Sequence, residues 1–364
     1  MSLLSLTKHF ELIEDHRQAA KVTYPLFDVL FLTVVAVIGG AEGWEDIEDF
    51  GHCHLELLKK YGDFSNGIPV HDTIARIISK VDPEALQQAF ISWMQATQQL
   101  TQGQVIAIDG KTLRGSYNRE ERQSAIHMVN AFSVTHGVVM GQLKTDAKSN
   151  EITAIPELLA LLDIKGALVT IDAMGTQADI AYTIIDRGAD FLLAVKGNQS
   201  VLHQRVKEAF AAQSEEAENV TQIEAQRGRK EYREYQTIDA PKELIDTKWP
   251  TIQTFGKVIS YRVHKGKGKL QTRYYISSAI LSAEELASAA RGHWAVENQL
   301  HWVLDVTMNE DACQISRGDG AENLARMRQA TVNILKKEPS KLSLRRNRRL
   351  AAMNSAYLDK IINA

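Results

Sequence analysis

The sequence has little cysteine and no long apolar run, and each shortage excludes a class of protein. Only two cysteines, Cys53 and Cys313, occur in 364 residues, so a disulfide framework and a zinc-finger spacing are both excluded. The most apolar stretch, residues 26–40, is interrupted by Asp28 and falls short of the roughly 20 residues that a membrane span needs. We therefore expect a cytoplasmic protein without membrane contact, and a buried helix over residues 26–40.

Net charge is low as well. A formal charge of -3 and a pI near 6.4 differ from those of a nucleic-acid-binding protein that is basic over its whole surface. Any DNA contact therefore has to come from local basic patches. The content of 44% hydrophobic and 24% charged residues is ordinary for a soluble globular protein, and the length allows two or three domains.

Two apolar runs each lead to an aspartate. Residues 105–108 predict a buried strand that delivers Asp109, and residues 167–171 predict a second strand that delivers Asp172. Most aspartates at strand ends merely begin a turn, which is the alternative for each one alone. Because the pattern occurs twice, we expect two carboxylates at one edge of a sheet, placed to hold a metal ion.

Residues 1–100 have the pattern of helices. Apolar residues recur at helical spacing in residues 26–37, Asp72 is predicted to cap a helix, and Pro83 to open the next one. Two helices joined by a turn suggest helix-turn-helix DNA binding, although plain packing is the commoner explanation. We predict a helical N-terminal domain that contacts DNA.

After Asp109 the pattern changes to strands and then alternates with helices. Ser149 or Asn150 is predicted to cap the first of these helices. The predicted elements are strands at 125–132 and 134–143, a helix at 151–162, the strand of Asp172, a helix at 177–187 and a strand at 191–195. This order is that of a ribonuclease-H-like α/β fold, an analogy that assigns no function by itself.

Residues 211–280 predict a β-rich insertion subdomain, since several segments alternate polar and apolar residues. The glycine-lysine run at 265–269 lacks the buried strand, helix and Gly-Lys-Ser/Thr ending of a nucleotide loop. We interpret it as a solvated hairpin tip, with a phosphate contact as the less favoured alternative.

A third acid lies in a helix predicted to begin near Ser282. His293, Glu297, His301 and Asp305 recur at every fourth position and form one polar stripe along that helix. Zinc is a weak alternative, because the two histidines lack the spacing of a zinc protease motif and no cysteine is near.

Several motifs resemble those of the H-repeat-associated insertion-sequence transposases, which are of the DDE type. They are GAEGW at 40–44, AIDGK at 107–111, KSNEI at 148–152, IDAMG at 171–175, VKGNQ at 195–199 and HWAVEN at 293–298. The resemblance covers nearly the whole chain. It implies that Asp109, Asp172 and Glu297 form the catalytic, metal-binding triad of a ribonuclease-H-like core.

One departure concerns the residues around Glu297. The wider group often has Tyr, Arg and Lys where this chain has Ala290, His293 and Leu304. Other groups must then position the DNA, and we consider Arg291, His293 and His301 for this role.

The implied chemistry requires two divalent ions, about 3.5–4 Å apart, that activate the nucleophile and neutralise the leaving oxygen. Oxygen ligands suit Mg²⁺, with Mn²⁺ as the alternative ion. Lys111, Arg114, Lys196 and Asn198 follow the strands where a phosphate backbone would pass, although they are equally well explained as ordinary surface residues.

The C-terminal segment is basic, with seven cations between residues 336 and 349 against the single Glu338. We predict that it contacts DNA, chiefly through Arg345 and Arg346, and a solvated tail is the alternative. The predicted units are 1–100, 101–210 and 281–335 for the N-terminal domain and the two parts of the core, 211–280 for the insertion, and 336–364 for the basic segment.

The sequence as a whole predicts a DNA transposase that cleaves the ends of an insertion element and joins them to target DNA. We expect a homodimer when two element ends are brought together. The alternatives are a non-catalytic DNA-binding relative and a metal-dependent nuclease without strand transfer.

Overall fold

The structure, a computed structural model, describes residues 2–98, 102–117, 124–145, 151–213, 215–226, 229–245, 247–264 and 267–364. The predicted caps Ser149 and Asn150 lie outside the described residues, as do residues 265–266 of the predicted hairpin tip.

The described strands form one mixed sheet in the order β3-β2-β1-β4-β5-β9-β8-β7-β6. Their bounds are β1 Val105–Leu113, β2 Ile126–Ser133, β3 Val138–Lys144, β4 Leu168–Ile171, β5 Asp190–Val195, β6 Glu218–Gln226, β7 Arg229–Asp239, β8 Thr254–His264 and β9 Lys267–Ser277.

The helices account for most of the remaining described chain. Their bounds are α1 Leu3–Thr7, α2 Leu26–Ile38, α3 Trp44–Leu58, α4 His71–Ile78, α5 Pro83–Thr97, α6 Glu151–Leu161, α7 Ala178–Asp186, α8 Ser200–Ala212, α9 Ala283–His293, α10 Trp302–Val306, α11 Gly320–Lys337, α12 Leu344–Met353 and α13 Ser355–Asn363.

The first half of the sheet has the predicted order of elements. β1, β2 and β3 form an antiparallel meander, while β1, β4 and β5 are parallel and are connected through α6 and α7. Parallel neighbours need such crossovers, because a tight turn reverses the direction of the chain. The predicted succession of three strands, helix, strand, helix, strand and helix is therefore confirmed.

The β-rich segment within residues 211–280 is present, and its strands extend the central sheet. β9 pairs antiparallel with β5, from Leu192 opposite Ser277 to Val195 opposite Tyr274. Without β9 the backbone groups along this edge of β5 would lack partners, which is costly for a strand as apolar as this one.

The described residues from 2 to 98 contain helices and no strand. The predicted buried helix is α2, whose residues 28–38 are all buried. Asp72 does not cap α4 as predicted, since the helix begins at His71 and Val70 occupies the N-cap position. Asp82 caps α5 through Glu84, directly before Pro83.

Much of α5 is buried, including Trp93, and it packs between β3 and α11. A helix enclosed in this way has little surface to offer a DNA groove, which favours plain packing over a helix-turn-helix role. The apolar core is continuous from α1 through the sheet to α13. The predicted domain limits stay a prediction.

The helix predicted near Ser282 begins there, with Ser282 and Glu285 capping each other. Its expected continuation to Asp305 is interrupted. α9 ends at His293, a π-helical segment spans Glu297–His301, and α10 follows. Among the described residues, no helix is both long and apolar enough to cross a membrane.

Candidate active site

The parallel pairing of β1 with β4 brings the two predicted aspartates side by side. Ile108 lies beside Ile171, so Asp109 and Asp172 follow at neighbouring positions on the same face of the sheet. β1 does not end at Asp109 as predicted, because its pairing with β2 continues to Leu113. The edge of β1 toward β4 is nevertheless unpaired beyond Ile108, where β4 ends.

Asp172 also begins a turn, as the alternative interpretation held. One of its carboxylate oxygens accepts hydrogen bonds from the backbone N–H groups of Met174 at 2.9 Å and Gly175 at 3.3 Å. The other oxygen takes no part in this turn. A turn role and an ion-binding role are therefore compatible in the same side chain.

Asp109 lies in a strongly negative environment, with its side chain 20% exposed. Burial, and to a lesser degree the nearby charges of Glu151, Glu297 and Asp172, together raise the pKa of this carboxyl group to about 7. The charges of the other two expected acids, and that of Glu151, thus act on Asp109.

Glu297 is the first residue of the π-helical segment and is exposed. The wider turn breaks the even spacing of the predicted polar stripe, and such π segments are frequent at functional sites. Among the described residues, no three acidic, histidine or cysteine side chains are close enough together to hold an ion as they stand.

The two predicted histidines lie partly buried near the aspartates. Nδ1 of His301 lies 3.6 Å from Oδ2 of Asp109, and Nδ1 of His293 lies 3.1 Å from the hydroxyl of Thr170. Burial lowers the pKa of His301 to about 4, with Lys111 and His127 contributing, and burial also lowers the pKa of His293. Both imidazoles are neutral near pH 7, so any contact with DNA would be a hydrogen bond.

Lys111 is buried in an ion-pair network. Its ammonium group lies 2.6 Å from Asp305, 3.3 Å from Glu310 and 3.4 Å from Asp311. Burial opposes the charge, but these carboxylates raise the pKa of Lys111 above its usual value. The network ties β1 to the chain that follows the third acid. Arg114 lies nearby with its side chain 80% exposed.

The remaining residues predicted to contact DNA differ in whether their side chains already bind other parts of the protein. Lys196 is exposed, while Asn198 donates from Nδ2 to the carbonyl of Ala173 at 2.6 Å and so fixes the loop behind Asp172. Arg291 pairs with Glu224 of β6 at 2.7 Å. Their DNA roles stay predictions.

The basic C-terminal segment is partly folded into the protein. Arg345 and Arg346 are exposed on α12, but Arg348 is buried and donates to the carbonyls of Val37 and Thr307. Lys336 donates to the carbonyl of Gly137 at 2.6 Å. Only the exposed cations of the segment are available to a phosphate backbone.

A cationic groove beside Glu297 was not predicted. It has a volume of about 590 Å³ and lies between the face of β7, β8 and β9 and the chain from α9 to the π-helical segment. Its charged lining consists of the cations Arg233, Arg262, Lys269, Arg273 and Arg291 and the acids Glu231 and Glu297. The sequence contained a signal for this groove, because the residues that line it occur at every second position along each strand.

Trp294 also lines this groove, three residues before Glu297. Its ring is partly exposed, and the guanidinium of Arg273 lies 4.9 Å from the ring centroid. The groove thus combines an excess of positive charge with an aromatic face, the two features on which single-stranded nucleic acid binds.

The chemistry of the donor groups fits a hard divalent cation. Asp109, Asp172 and Glu297 supply carboxylate oxygens, which Mg²⁺ prefers. Asn130 adds an observation of another kind, because its side chain is completely buried and its Oδ1 has no hydrogen-bond partner among the described residues. Asn130 lies directly opposite Asp109 in the register of β1 and β2.

Comparison with protein families identifies the family of this chain. The family described as "Transposase DDE domain" matches residues 100–334, and the family described as "DDE_Tnp_1-associated" matches residues 7–94. The chain therefore belongs to the DDE transposases and, within them, to the H-repeat-associated group.

Two relatives from Escherichia coli strain K12 illustrate the group. The "H repeat-associated putative transposase YhhI" is 49% identical over 372 residues, which cover 100% of this chain and 98% of the relative. The "Inactive transposase YbfQ" is 62% identical over 80 residues, which cover 22% of this chain and 95% of the relative.

A solved structure of the piggyBac transposase synaptic complex with hairpin DNA aligns with 100% of this chain and 78% of its own. The sequence identity is 13% and the TM-score is 0.45, a likeness too slight to support an inference.

Proposed function

We propose that this transposase cleaves DNA at the ends of its own element and joins the freed ends to target DNA. The observation that carries the proposal is the neighbouring placement of Asp109 and Asp172 at the β1–β4 edge, with Glu297 close enough to influence Asp109. We assign β1 to β5 to a ribonuclease-H-like core on the basis of their strand order.

Asp109, Asp172 and Glu297 would hold two Mg²⁺ ions, with Mn²⁺ as the alternative. When bound there, such ions would activate the nucleophile and neutralise charge on the leaving oxygen. The protein's own contribution is positional. β1 and β4 fix two carboxylates, and the Lys111 ion pairs hold the chain that carries Glu297 against β1.

The neutral His301 and His293 fill the space between the sheet and the third acid. Because neither carries a positive charge near pH 7, neither competes with a divalent ion for the carboxylates. Nδ1 of His301, 3.6 Å from Asp109, would be near enough to donate to a phosphate oxygen that approaches the carboxylates.

For the DNA path we propose the cationic groove beside Glu297 and the exposed cations Arg114, Lys196, Arg345 and Arg346. Lys111 would contribute only indirectly, by tying β1 to the chain that follows Glu297, since its ammonium is already surrounded by carboxylates. Two protomers would be needed to hold two element ends, and we propose a homodimer for this step.

The decisive experiment incubates the full-length protein with duplex DNA carrying the ends of its element and Mg²⁺. Products cleaved at the element ends and joined through their 3′-hydroxyls to a second DNA support the proposal. Cleaved products without joining would instead identify a metal-dependent nuclease.

Two observations favour a second candidate, a DNA-binding relative without catalysis. One relative is named as inactive, and no three described acids are gathered closely enough for an ion. The same experiment separates the candidates, because binding of element-end DNA without cleavage in either Mg²⁺ or Mn²⁺ would support the non-catalytic role.

A further inference from the structure

Glu151 lies against β1 next to the predicted triad. It is the first residue of α6, and α6 packs on the face of the sheet opposite to that of Asp109. At Gly110 an added Cβ would overlap both Oε1 of Glu151 and Nε2 of His127. The absence of a side chain at Gly110 therefore lets the Glu151 carboxylate reach the strand, one residue beyond Asp109.

His127 holds this carboxylate in place. Its Nε2 lies 2.7 Å from Oε1 of Glu151, and its Nδ1 lies 2.9 Å from the hydroxyl of Thr112. A neutral imidazole satisfies both contacts, because Nε2–H donates to the carboxylate and the Thr112 hydroxyl donates to Nδ1. Among the described residues, His127 alone is hydrogen-bonded to this carboxylate, which leaves Oε2 for another ligand.

The charge around Glu151 is unbalanced. The Glu151 side chain is only 12% exposed, and its carboxylate occupies the place of a Cβ at Gly110, the neighbour of Asp109 in the strand. Lys111, the buried cation on the neighbouring part of β1, is already surrounded by three other carboxylates. Gathering like charges in a partly buried place is unfavourable unless a cation joins them.

Asn130 provides an independent sign of a missing ligand. It is completely buried opposite Asp109, its Nδ2 lies 3.5 Å from Nε2 of His301, and its Oδ1 has no partner among the described residues. A buried carbonyl oxygen left without a partner costs on the order of 1–3 kcal/mol. A water bound to a divalent ion would satisfy this oxygen, since ions such as Mg²⁺ keep several waters.

We propose that the ion centre contains a fourth carboxylate, Glu151, which His127 positions through the gap left by Gly110. The proposal rests on the proposed function, since it concerns the same two ions. Four carboxylates match the charge of two divalent cations, whereas the triad alone falls short of it. Metal-ligating carboxylates are commonly held by a second hydrogen-bonding group, and His127 has this role here.

The test measures Mn²⁺ binding to the full-length protein by electron paramagnetic resonance, with and without duplex DNA. Four proteins are compared: wild type, Asp109→Asn, Glu151→Gln and the control Glu157→Gln. Glu157 is an exposed carboxylate on the same helix. We expect Glu151→Gln to weaken Mn²⁺ binding about 10- to 100-fold, Asp109→Asn to weaken it at least as much, and Glu157→Gln to match wild type.

Melting without metal separates an ion-binding role from a structural one. If Glu151 mainly repels the other acids, Glu151→Gln should melt at or above the wild-type temperature. If it mainly stabilises α6 through His127, the variant should melt lower, and that result together with unchanged Mn²⁺ binding overturns the inference.

The outcomes also distinguish this inference from the proposed function. A loss in Asp109→Asn with normal Mn²⁺ binding in Glu151→Gln overturns the fourth carboxylate and leaves the triad intact. Absence of Mn²⁺ binding in wild type overturns both. Should Glu151→Gln fail to fold, Glu151→Asp keeps the charge but shortens its reach, and unchanged Mn²⁺ affinity in that variant would again overturn the inference.

Discussion

The segment from Trp294 to His301 lies between two regions of opposite charge. Toward β1 and β4 it faces Asp109 and Asp172, and toward β7, β8 and β9 it faces a groove in which cations predominate. The same short segment thus separates a place suited to cations from a place suited to phosphates. The difference teaches that ion binding and DNA binding can be disrupted separately, and four predictions use this separation.

The largest effect is expected on the acidic side. Asp109→Asn keeps the size of the side chain but removes the charge that would hold an ion, and the loss of one preorganised charge costs on the order of 10²–10³ in rate. We expect cleavage of element-end DNA to fall by about this factor or more, while fluorescence anisotropy detects nearly unchanged DNA binding.

Asp163→Asn is the matched control, because Asp163 is exposed and precedes β4 at the opposite end of the strand. It should cleave like wild type. Equal cleavage by wild type and Asp109→Asn would remove Asp109 from the site.

The next effect is expected on the cationic side. Arg262→Gln combined with Lys269→Gln removes two exposed cations of the groove, and we expect DNA affinity to fall about tenfold at low salt. Each lost phosphate contact should also reduce the salt slope of binding by about 0.9. Lys165→Gln, at an exposed site far from the groove, should leave both quantities unchanged. An unaltered slope in the groove variant would place the DNA elsewhere.

A smaller effect is expected from the basic C-terminal segment, because two of its cations are occupied inside the protein. Neutralising the exposed Arg345 and Arg346 should lower the salt slope by up to about 1.8, from two phosphate contacts at about 0.9 each. Binding titrations at several salt concentrations measure this change. Identical slopes would mean that α12 carries ordinary surface charge.

The smallest effect concerns stability without metal. The folded-state pKa of Asp109, about 7, lies above its ordinary value of 3.8, so the folded protein binds a proton that the unfolded chain has released between these pH values. Stability from this group is therefore lost as pH rises through this window. At pH 8 the free energy of unfolding of Asp109→Asn should exceed that of wild type by on the order of a few kcal/mol. The variant should therefore melt a few degrees higher.

The difference between the two proteins should nearly vanish at pH 4 in the same melting experiment. Adding Mg²⁺ at pH 8 should raise the melting temperature of wild type more than that of the variant. A difference that is constant across pH would assign the effect to something other than this carboxylate.

The sequence predicted the first half of the sheet because its signals are local. Apolar runs and crossover helices fix β1 to β5, and parallel pairing then places Asp109 beside Asp172. Pairing between β5 and β9 could not be predicted, because nothing in the alternation of a strand specifies which distant edge it joins. The start of α4 was also predicted wrongly, because its N-cap is Val70, two residues before the predicted cap Asp72.

The sequence indicated the acids of the candidate site more clearly than its cations. Lys111 has the same charge as Arg114 in the sequence, and only the tertiary structure buries the former among carboxylates and exposes the latter. Glu151 was visible only as part of a motif, because its place beside β1 depends on the missing side chain of Gly110.

The joining of β5 to β9 has a consequence for the order of folding. During synthesis β5 leaves the ribosome well before β9, so its outer edge stays unpaired until most of the chain has been made. Pairing between strands so distant in sequence is slow, and an uncovered apolar edge is a template for association with other chains. Truncated products that stop before Lys267 should therefore be the ones most prone to aggregate.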